Sequence, residues 1–168
     1  MKPMMATVAF AAFAMLGACA PKPAATTTAA AAPVVVPACD TFKEGQNGVM
    51  KLYCKGKASA NVKVGDKSYA LTGGTCELYG GEESVFIGVL ATEQLTGVAP
   101  DAFVMTVFTG TQGPFTGATF KMVLDGKTIS VSPNKGTFEG KGGKLTGGTF
   151  EGTSRFNHQA VSGTFSCG

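Results

Sequence analysis

The stretch Thr119-Phe-Lys-Met-Val-Leu-Asp-Gly-Lys-Thr-Ile-Ser-Val131 carries the clearest structural signal in this chain. Apolar and polar residues alternate on both sides of Asp125-Gly126, and a period of two residues is that of a half-buried β-strand. Asp-Gly favours the positive φ angles of a two-residue turn. The stretch therefore predicts a β-hairpin with strands at residues 119–124 and 127–131.

The same kind of signal continues along the chain toward both ends. Gly65-Asp66 is a second two-residue connection, and residues 84–91 and 102–108 are apolar on both faces, which is typical of central strands. Further strands are predicted at residues 49–54, 60–64, 67–71, 84–91 and 102–108. Because turn signals recur throughout, we expect an all-β fold, either an antiparallel sandwich or a partly open barrel of roughly 8–11 short strands. At most one short helix is expected, at residues 92–98, with Thr92 as its N-cap.

Two short motifs repeat within the predicted β domain. Leu71-Thr-Gly-Gly-Thr-Cys76 recurs as Leu145-Thr-Gly-Gly-Thr-Phe150, and Gly-Thr-Phe begins at Gly136, Gly148 and Gly163. Each copy combines a glycine bend, a threonine and a large residue expected to point inward, so we interpret them as strands that share one construction rule. A glycine-rich phosphate cradle is disfavoured, since no helix pattern follows these glycines.

The N-terminus predicts export and lipid attachment. Residues 1–18 have an apolar run that is too short to span a bilayer and is typical of a signal peptide. Leu16-Gly17-Ala18-Cys19 resembles the lipobox of bacterial lipoproteins, in which the cysteine thiol receives a diacylglyceryl group and becomes the acylated first residue. Residues 19–37 then form a lipidated N-terminus and a flexible tether rich in Ala, Thr and Pro, and residues 38–168 form one domain.

The lipobox also implies a location. Two or three acyl chains, palmitate among them, hold a protein on a membrane durably, whereas one chain binds weakly. Ala20 replaces the aspartate that usually retains lipoproteins at an inner membrane, so we expect a protein of the cell envelope, anchored in the outer membrane where two membranes exist. This covalent lipid on Cys19 is the only non-protein group expected, and no other cofactor is predicted.

The cysteine count supports an oxidising compartment. Five cysteines are present, and assigning Cys19 to lipid leaves an even set in the domain. Four cysteines permit three pairings, and we favour Cys39 with Cys54, which closes a short loop, and Cys76 with Cys167, which joins the last strand to an early one. A zinc site is disfavoured, because no CxxC pair occurs and the chain has a single histidine.

Charge and side-chain chemistry exclude several function classes. The chain carries a net charge of +3, and two of its lysines precede the domain, so a nucleic-acid partner is not expected. No catalytic motif surrounds any serine, and His158 lies in a turn composition, Asn157-His158-Gln159. Glu82 and Glu83 would face opposite sides of a strand, so shared acid–base work is disfavoured and no catalytic residue is predicted.

Several of these segments together resemble a known family. Residues 62–67 (Val-Lys-Val-Gly-Asp-Lys), the two motifs that end at Cys76 and Cys167, and Val85-Phe-Ile-Gly88 are similar to the LpqH-type mycobacterial lipoprotein antigens. The resemblance implies a small β domain with one disulfide at Cys76 and Cys167, and a surface-exposed, non-enzymatic antigen. Cys39 and Cys54 depart from that pattern.

Two functional hypotheses follow. The first is a membrane-anchored lipoprotein whose non-catalytic β domain acts in envelope structure or in interaction with an envelope or host protein. The second is a binding module: either an inhibitor of lysozyme, because Tyr53-Cys54-Lys-Gly followed by Val62-Lys-Val resembles the C-type lysozyme inhibitors, or a carrier of an apolar ligand inside a barrel. The twelve phenylalanines fit both a filled core and a ligand cavity. The oligomeric state stays open.

Overall fold

The hairpin around Asp125-Gly126 is one of a series of strands in the structure. The computed structural model describes residues 34–35, 39–79, 82–92, 100–107, 112–142 and 144–168. The strands within these residues are β1 Val34–Val35, β2 Val49–Tyr53, β3 Ala58–Val64, β4 Lys67–Tyr79, β5 Glu82–Ala91, β6 Ala102–Val107, β7 Gly113–Thr116, β8 Thr119–Leu124, β9 Lys127–Lys141, β10 Lys144–Ser154 and β11 Ala160–Ser166. The only helical element in this part of the chain is a 3-10 turn at Cys39–Thr41.

Eight strands close into an antiparallel barrel, which confirms the predicted all-β class. The hydrogen-bonded order is β4-β3-β11-β10-β9-β8-β6-β5, and β5 pairs with β4 again. Strand β2 pairs with β5 and β7 with β9, outside this closed path. In an eight-stranded barrel the interior is just wide enough to be filled by side chains.

Of the two architectures expected from the sequence, the barrel is found, although it is closed rather than partly open, and the sandwich is not. The closure depends on β4, which is 13 residues long. Its first part pairs with β3 from Lys67 to Gly74, and its second part pairs with β5 from Thr75 to Tyr79. Because a single bent strand bridges the two ends of the sheet, the sheet closes on itself and its edges are paired.

The two repeated Leu-Thr-Gly-Gly-Thr motifs lie at irregular points of the ladder. In β4, Gly73 has a φ of 92°, and the pairing with β3 shifts register between Ala58 and Ser59. In β10, the pairing with β9 shifts between Leu145 and Gly147. Such shifts bend a strand and increase its twist, so both copies mark places where the barrel wall curves.

The Gly-Thr-Phe repeats have the shared role that the sequence predicted, on three adjacent strands. Each phenylalanine is buried and faces the interior, while Thr137, Thr149 and Thr164 are exposed on the outer face and lie side by side in the ladder. Each glycine lies opposite a phenylalanine of the neighbouring strand, as Gly163 does opposite Phe150. The rings therefore occupy the space that the glycines leave free.

Both disulfides are present with the favoured pairing. Cys76 and Cys167 have Cα atoms 5.4 Å apart and join β4 to the residue after β11. Cys39 and Cys54 have Cα atoms 6.2 Å apart. Cys39 belongs to a small second core with Val49 and Val89, so this disulfide fastens the 3-10 turn and β2 onto the end of β5.

Several predictions for the N-terminus concern residues that the structure does not describe. The signal peptide, Cys19 and residues 20–33 and 36–37 of the expected tether lie outside the described residues. Residues 93–98 of the expected helix lie outside them as well. Val34 and Val35, at the end of the expected tether, pair in parallel with Ala70 and Leu71. Among the described residues, no helix is long and apolar enough to cross a membrane.

Candidate functional site

The barrel interior is filled rather than hollow along the described strands. Phe103 is fully buried, and its ring centroid lies 5.3 Å from that of Phe120 and 5.6 Å from that of Phe150. Phe138 stacks on Phe115 with centroids 4.4 Å apart. Ring pairs at such separations fill space at close to crystal density and add attraction beyond their burial. The positions of these phenylalanine rings therefore favour a filled core over a ligand cavity inside the barrel.

One polar cluster lies at an end of the barrel. The carboxylate Oδ2 of Asp125 accepts hydrogen bonds from Lys67 Nζ and from Tyr69 Oη, each at 2.9 Å. Asp101 Oδ1 accepts a hydrogen bond from the backbone N–H of Asp125 at 2.8 Å. Strands β4 and β8 are not neighbours in the barrel, so these bonds tie the β8–β9 turn to β4 across the barrel end.

The two carboxylates of this cluster have opposite pKa shifts. Hydrogen bonds from Lys67 and Tyr69 lower the pKa of Asp125, whereas burial raises the pKa of Asp101. Pairs with divergent pKa values are common in active sites. Here, however, Lys67 and Tyr69 both donate to one oxygen of Asp125, and the Lys67–Asp125 ion pair is exposed. Asp101 accepts a hydrogen bond from the Asp125 backbone N–H. This geometry indicates that the cluster holds the barrel end together.

A second polar cluster attaches β2 to the outside of the barrel. The ring of Tyr53 stacks on Phe86 with centroids 4.6 Å apart, and Tyr53 Oη donates a hydrogen bond to Glu77 Oε1 at 2.9 Å. Lys51 Nζ lies 3.3 Å from the same oxygen and 4.9 Å from the centroid of the Tyr53 ring. Burial, followed by the bond to Glu77, raises the pKa of the Tyr53 hydroxyl, so it stays protonated and donates at neutral pH.

The residues considered for catalysis are not brought together. His158 is exposed in the turn between β10 and β11, with a φ of 54°, and its backbone N–H bonds to Ser154 O at 3.1 Å. Glu82 and Glu83 pair with different positions on β4, Tyr79 and Leu78. As consecutive strand residues they face opposite sides of the sheet. Within the described residues, no group of three His, Cys, Asp or Glu side chains is placed to hold a metal ion.

The outer face of the barrel contains a groove that sequence reasoning missed. It has a volume of about 450 Å³ and runs over β5, β6, β8 and β9. Its floor includes Ala102, Val104 and Val123, and Phe156 stands at its rim with 81% of its surface exposed. The signal was present in residues 102–108, which are apolar on both faces. Phe103 and Met105 pack in the core, whereas Ala102 and Val104 line this groove.

The outer face of β9, β10 and β11 beyond this groove is polar. Its exposed positions on β9, β10 and β11 include Thr137, Thr149 and Thr164, and the Thr137 and Thr149 hydroxyls are 2.7 Å apart. Lys135 and Glu151 form an exposed ion pair in the next row. The apolar outward positions of β6 and β8 are therefore a local departure from the polar-out rule of barrel strands.

No family model, no curated protein and no solved structure matches this chain.

Proposed function

We propose that this chain is a lipoprotein of the bacterial cell envelope, anchored through Cys19, whose barrel domain is a non-catalytic binding and interaction module. The anchor rests on the lipobox-like Leu16-Gly17-Ala18-Cys19. Two disulfides in a small domain support an exported, oxidising location. Because Ala20, and not aspartate, follows the cysteine, we propose the outer membrane as the location where two membranes are present.

The proposal that the domain is non-catalytic rests on the structural roles of its polar side chains. Lys67, Tyr69 and Asp125 tie one end of the barrel, while Tyr53 and Glu77 attach β2. His158 is exposed in a turn. These groups hold strands and turns together, which supports a structural role for them.

The alternative of an apolar ligand inside the barrel is not favoured, because phenylalanine rings occupy that space. The lysozyme-inhibitor alternative rests on Tyr53-Cys54-Lys-Gly. In the structure, Tyr53 is buried against Phe86 and Cys54 is bonded to Cys39, so these two residues serve the fold rather than an exposed inhibitory loop.

Cell fractionation with labelled palmitate tests the anchor. The full chain should incorporate label and sediment with membranes, whereas Cys19→Ser should do neither, because the acceptor thiol is gone. Ala20→Ser, next to it, retains the thiol and is the matched control. Label or membrane attachment that persists in Cys19→Ser would refute the proposal. A hydrolase activity that is lost in His158→Ala would refute its non-catalytic part.

A further inference from the structure

We propose that the outer groove over β5, β6, β8 and β9 binds a single long-chain fatty acid, with the alkyl chain on Ala102, Val104 and Val123 and the carboxylate at Lys121. This inference deepens the proposed function by naming a ligand class for the binding module. It does not depend on the anchor.

The pairing register builds the two halves of the groove floor. Val104 lies opposite Lys121, and Lys121 lies opposite Ser130. In the next row, Ala102 lies opposite Val123, which lies opposite Thr128. The floor is therefore apolar on β6 and polar on β9, with Val123 and Lys121 of β8 between them. An amphiphile with one apolar chain and one polar head matches this division.

The charge of the head group follows from Lys121. In the described part of the chain, Lys51, Lys67 and Lys135 form ion pairs, and Lys121 does not. Its neighbours across the ladder are Val104 and Ser130, neither of which is charged. An ammonium group beside an apolar floor and hydroxyl groups is suited to a carboxylate, which can accept hydrogen bonds from both.

The size and the walls of the groove fit one chain. Its volume of about 450 Å³ lies within the usual range of ligand clefts, about 300–1,000 Å³. Phe156 is held at the rim by the turn after β10, where the Arg155 backbone N–H bonds to Ser130 O at 2.9 Å. An exposed aromatic ring at this position would cover an alkyl chain lying on the floor and remove it from water.

An extended peptide is the less suitable occupant. Strands β6 and β8 pair with each other, β6 also pairs with β5, and β8 also pairs with β9. Their backbone groups are therefore used within the barrel wall, and the addition of a peptide strand needs a free edge. Over β6 and β8 the groove therefore offers side chains rather than free backbone, as an alkyl chain requires.

Palmitate binding to the full chain tests the inference. All proteins carry Cys19→Ser, so that added palmitate can bind only non-covalently, and affinity is measured by titration calorimetry. Lys121→Glu should weaken binding about five- to tenfold or more, because an attraction becomes a repulsion. Phe156→Ser should weaken it as well. Both side chains are exposed, so the fold should tolerate both changes.

Two matched variants serve as controls. Lys63→Glu makes the same charge change on the outer face of β3, and Leu78→Ser removes an exposed apolar side chain of β4, so both should bind like the parent protein. The amine with the same chain length as palmitate should bind more weakly than palmitate. The inference is overturned if the parent protein does not bind palmitate, if the amine binds equally well, or if the groove variants behave like their controls. Because Cys19 is absent throughout, such a failure leaves the anchoring proposal intact.

Discussion

The ring of Phe150 lies directly over Gly163 on the neighbouring strand. A Cβ atom added to Gly163 would lie 2.5 Å from Phe150 Cζ, closer than real Cβ contacts occur. Phe165 covers Gly148 in the same way, with its Cε1 and Cζ 2.8 Å from the corresponding position. The Gly-Thr-Phe repeat thus pairs an aromatic ring with a missing side chain on the adjacent strand.

Gly163→Ala should destabilise the barrel by about 1–3 kcal/mol, because the added methyl group would meet both the Asn61 carbonyl oxygen of β3 and the Phe150 ring. Urea unfolding measures the change. Ser162→Ala, an outward-facing change on the same strand, should stay within about 0.5 kcal/mol of the wild type. Equal stabilities for Gly163→Ala and the wild type would show that the ring does not depend on this glycine.

Asn134→Leu should destabilise the fold more than the small change in side-chain volume suggests. Asn134 is 7% exposed, and its Nδ2 donates to Ala118 O and Val131 O, each at 2.8 Å. Leucine fills a similar volume but leaves both buried carbonyls without this donor. The expected loss is about 2–5 kcal/mol.

Asn157→Ala is the control for that change, because Asn157 is exposed and bonds to Gln159 within its own turn. It should cost less than about 0.5 kcal/mol in the same urea titration. Similar losses for the two variants would contradict the role assigned to Asn134.

The two disulfides should contribute unequally. Cys76–Cys167 closes a segment with a sequence separation of 91, and Cys39–Cys54 one of 15. In the chain-entropy model their removal costs about 4.5 and about 3 kcal/mol respectively. Paired serine replacements, compared by thermal unfolding, should rank in that order. The reverse order would mean that packing of the small second core, not loop length, dominates.

Asp125→Asn should reduce stability at neutral pH and lose this effect in acid. The hydrogen bonds from Lys67 and Tyr69 hold the pKa of Asp125 below its usual value of 3.8, so its carboxylate stabilises the fold above that pH. The contribution is lost as the pH falls through the folded-state pKa. Urea midpoints of the two proteins should therefore differ at about pH 7 and converge near pH 2.

Asparagine, like aspartate, tolerates the positive φ of 52° at position 125, so the substitution acts mainly by removing the charge. Asp66→Asn, in the β3–β4 turn, removes the same charge and is the matched control. A constant difference between Asp125→Asn and wild type at all pH values would contradict the ionic tie.

Asp101→Asn should change stability in the opposite direction. Burial raises the pKa of Asp101, so at neutral pH the change should increase stability by removing part of the cost of burying a charge, which the same urea titrations would measure.

Local features were predictable because they depend on neighbours in sequence. Asp125-Gly126 and Gly65-Asp66 set hairpin turns at the predicted residues, and β8 at Thr119–Leu124 has its predicted bounds. Strands β4 and β9 run on to Tyr79 and Lys141, past their predicted ends at residues 71 and 131. The favoured cysteine pairs are the pairs observed. Strand lengths were underestimated where a strand continues past a glycine pair, as β4 does through Gly73 and Gly74. A glycine pair is consistent with either a turn or a bulge, and only the partner strand decides between them.

The candidate groove was not predictable from the same patterns. Residues 102–108 are apolar on both faces, and a central strand of a sandwich explains such a segment as well as a barrel strand with an apolar outer face does. Val104, Lys121 and Val123 become a site only because β6 and β8 pair in one particular register. That register is set by contacts between segments distant in sequence.

The sequence by itself determined an all-β domain, the positions of its turns and the alternation that places phenylalanines inside. These follow from φ preferences and from the two-residue period of a strand. Only the tertiary structure decided that the sheet closes, that the rings of one strand cover the glycines of the next, and that an apolar strip remains on the outside. The reason is that alternation assigns each side chain to a face but not to a partner, and partners are chosen by long-range packing around a shared core.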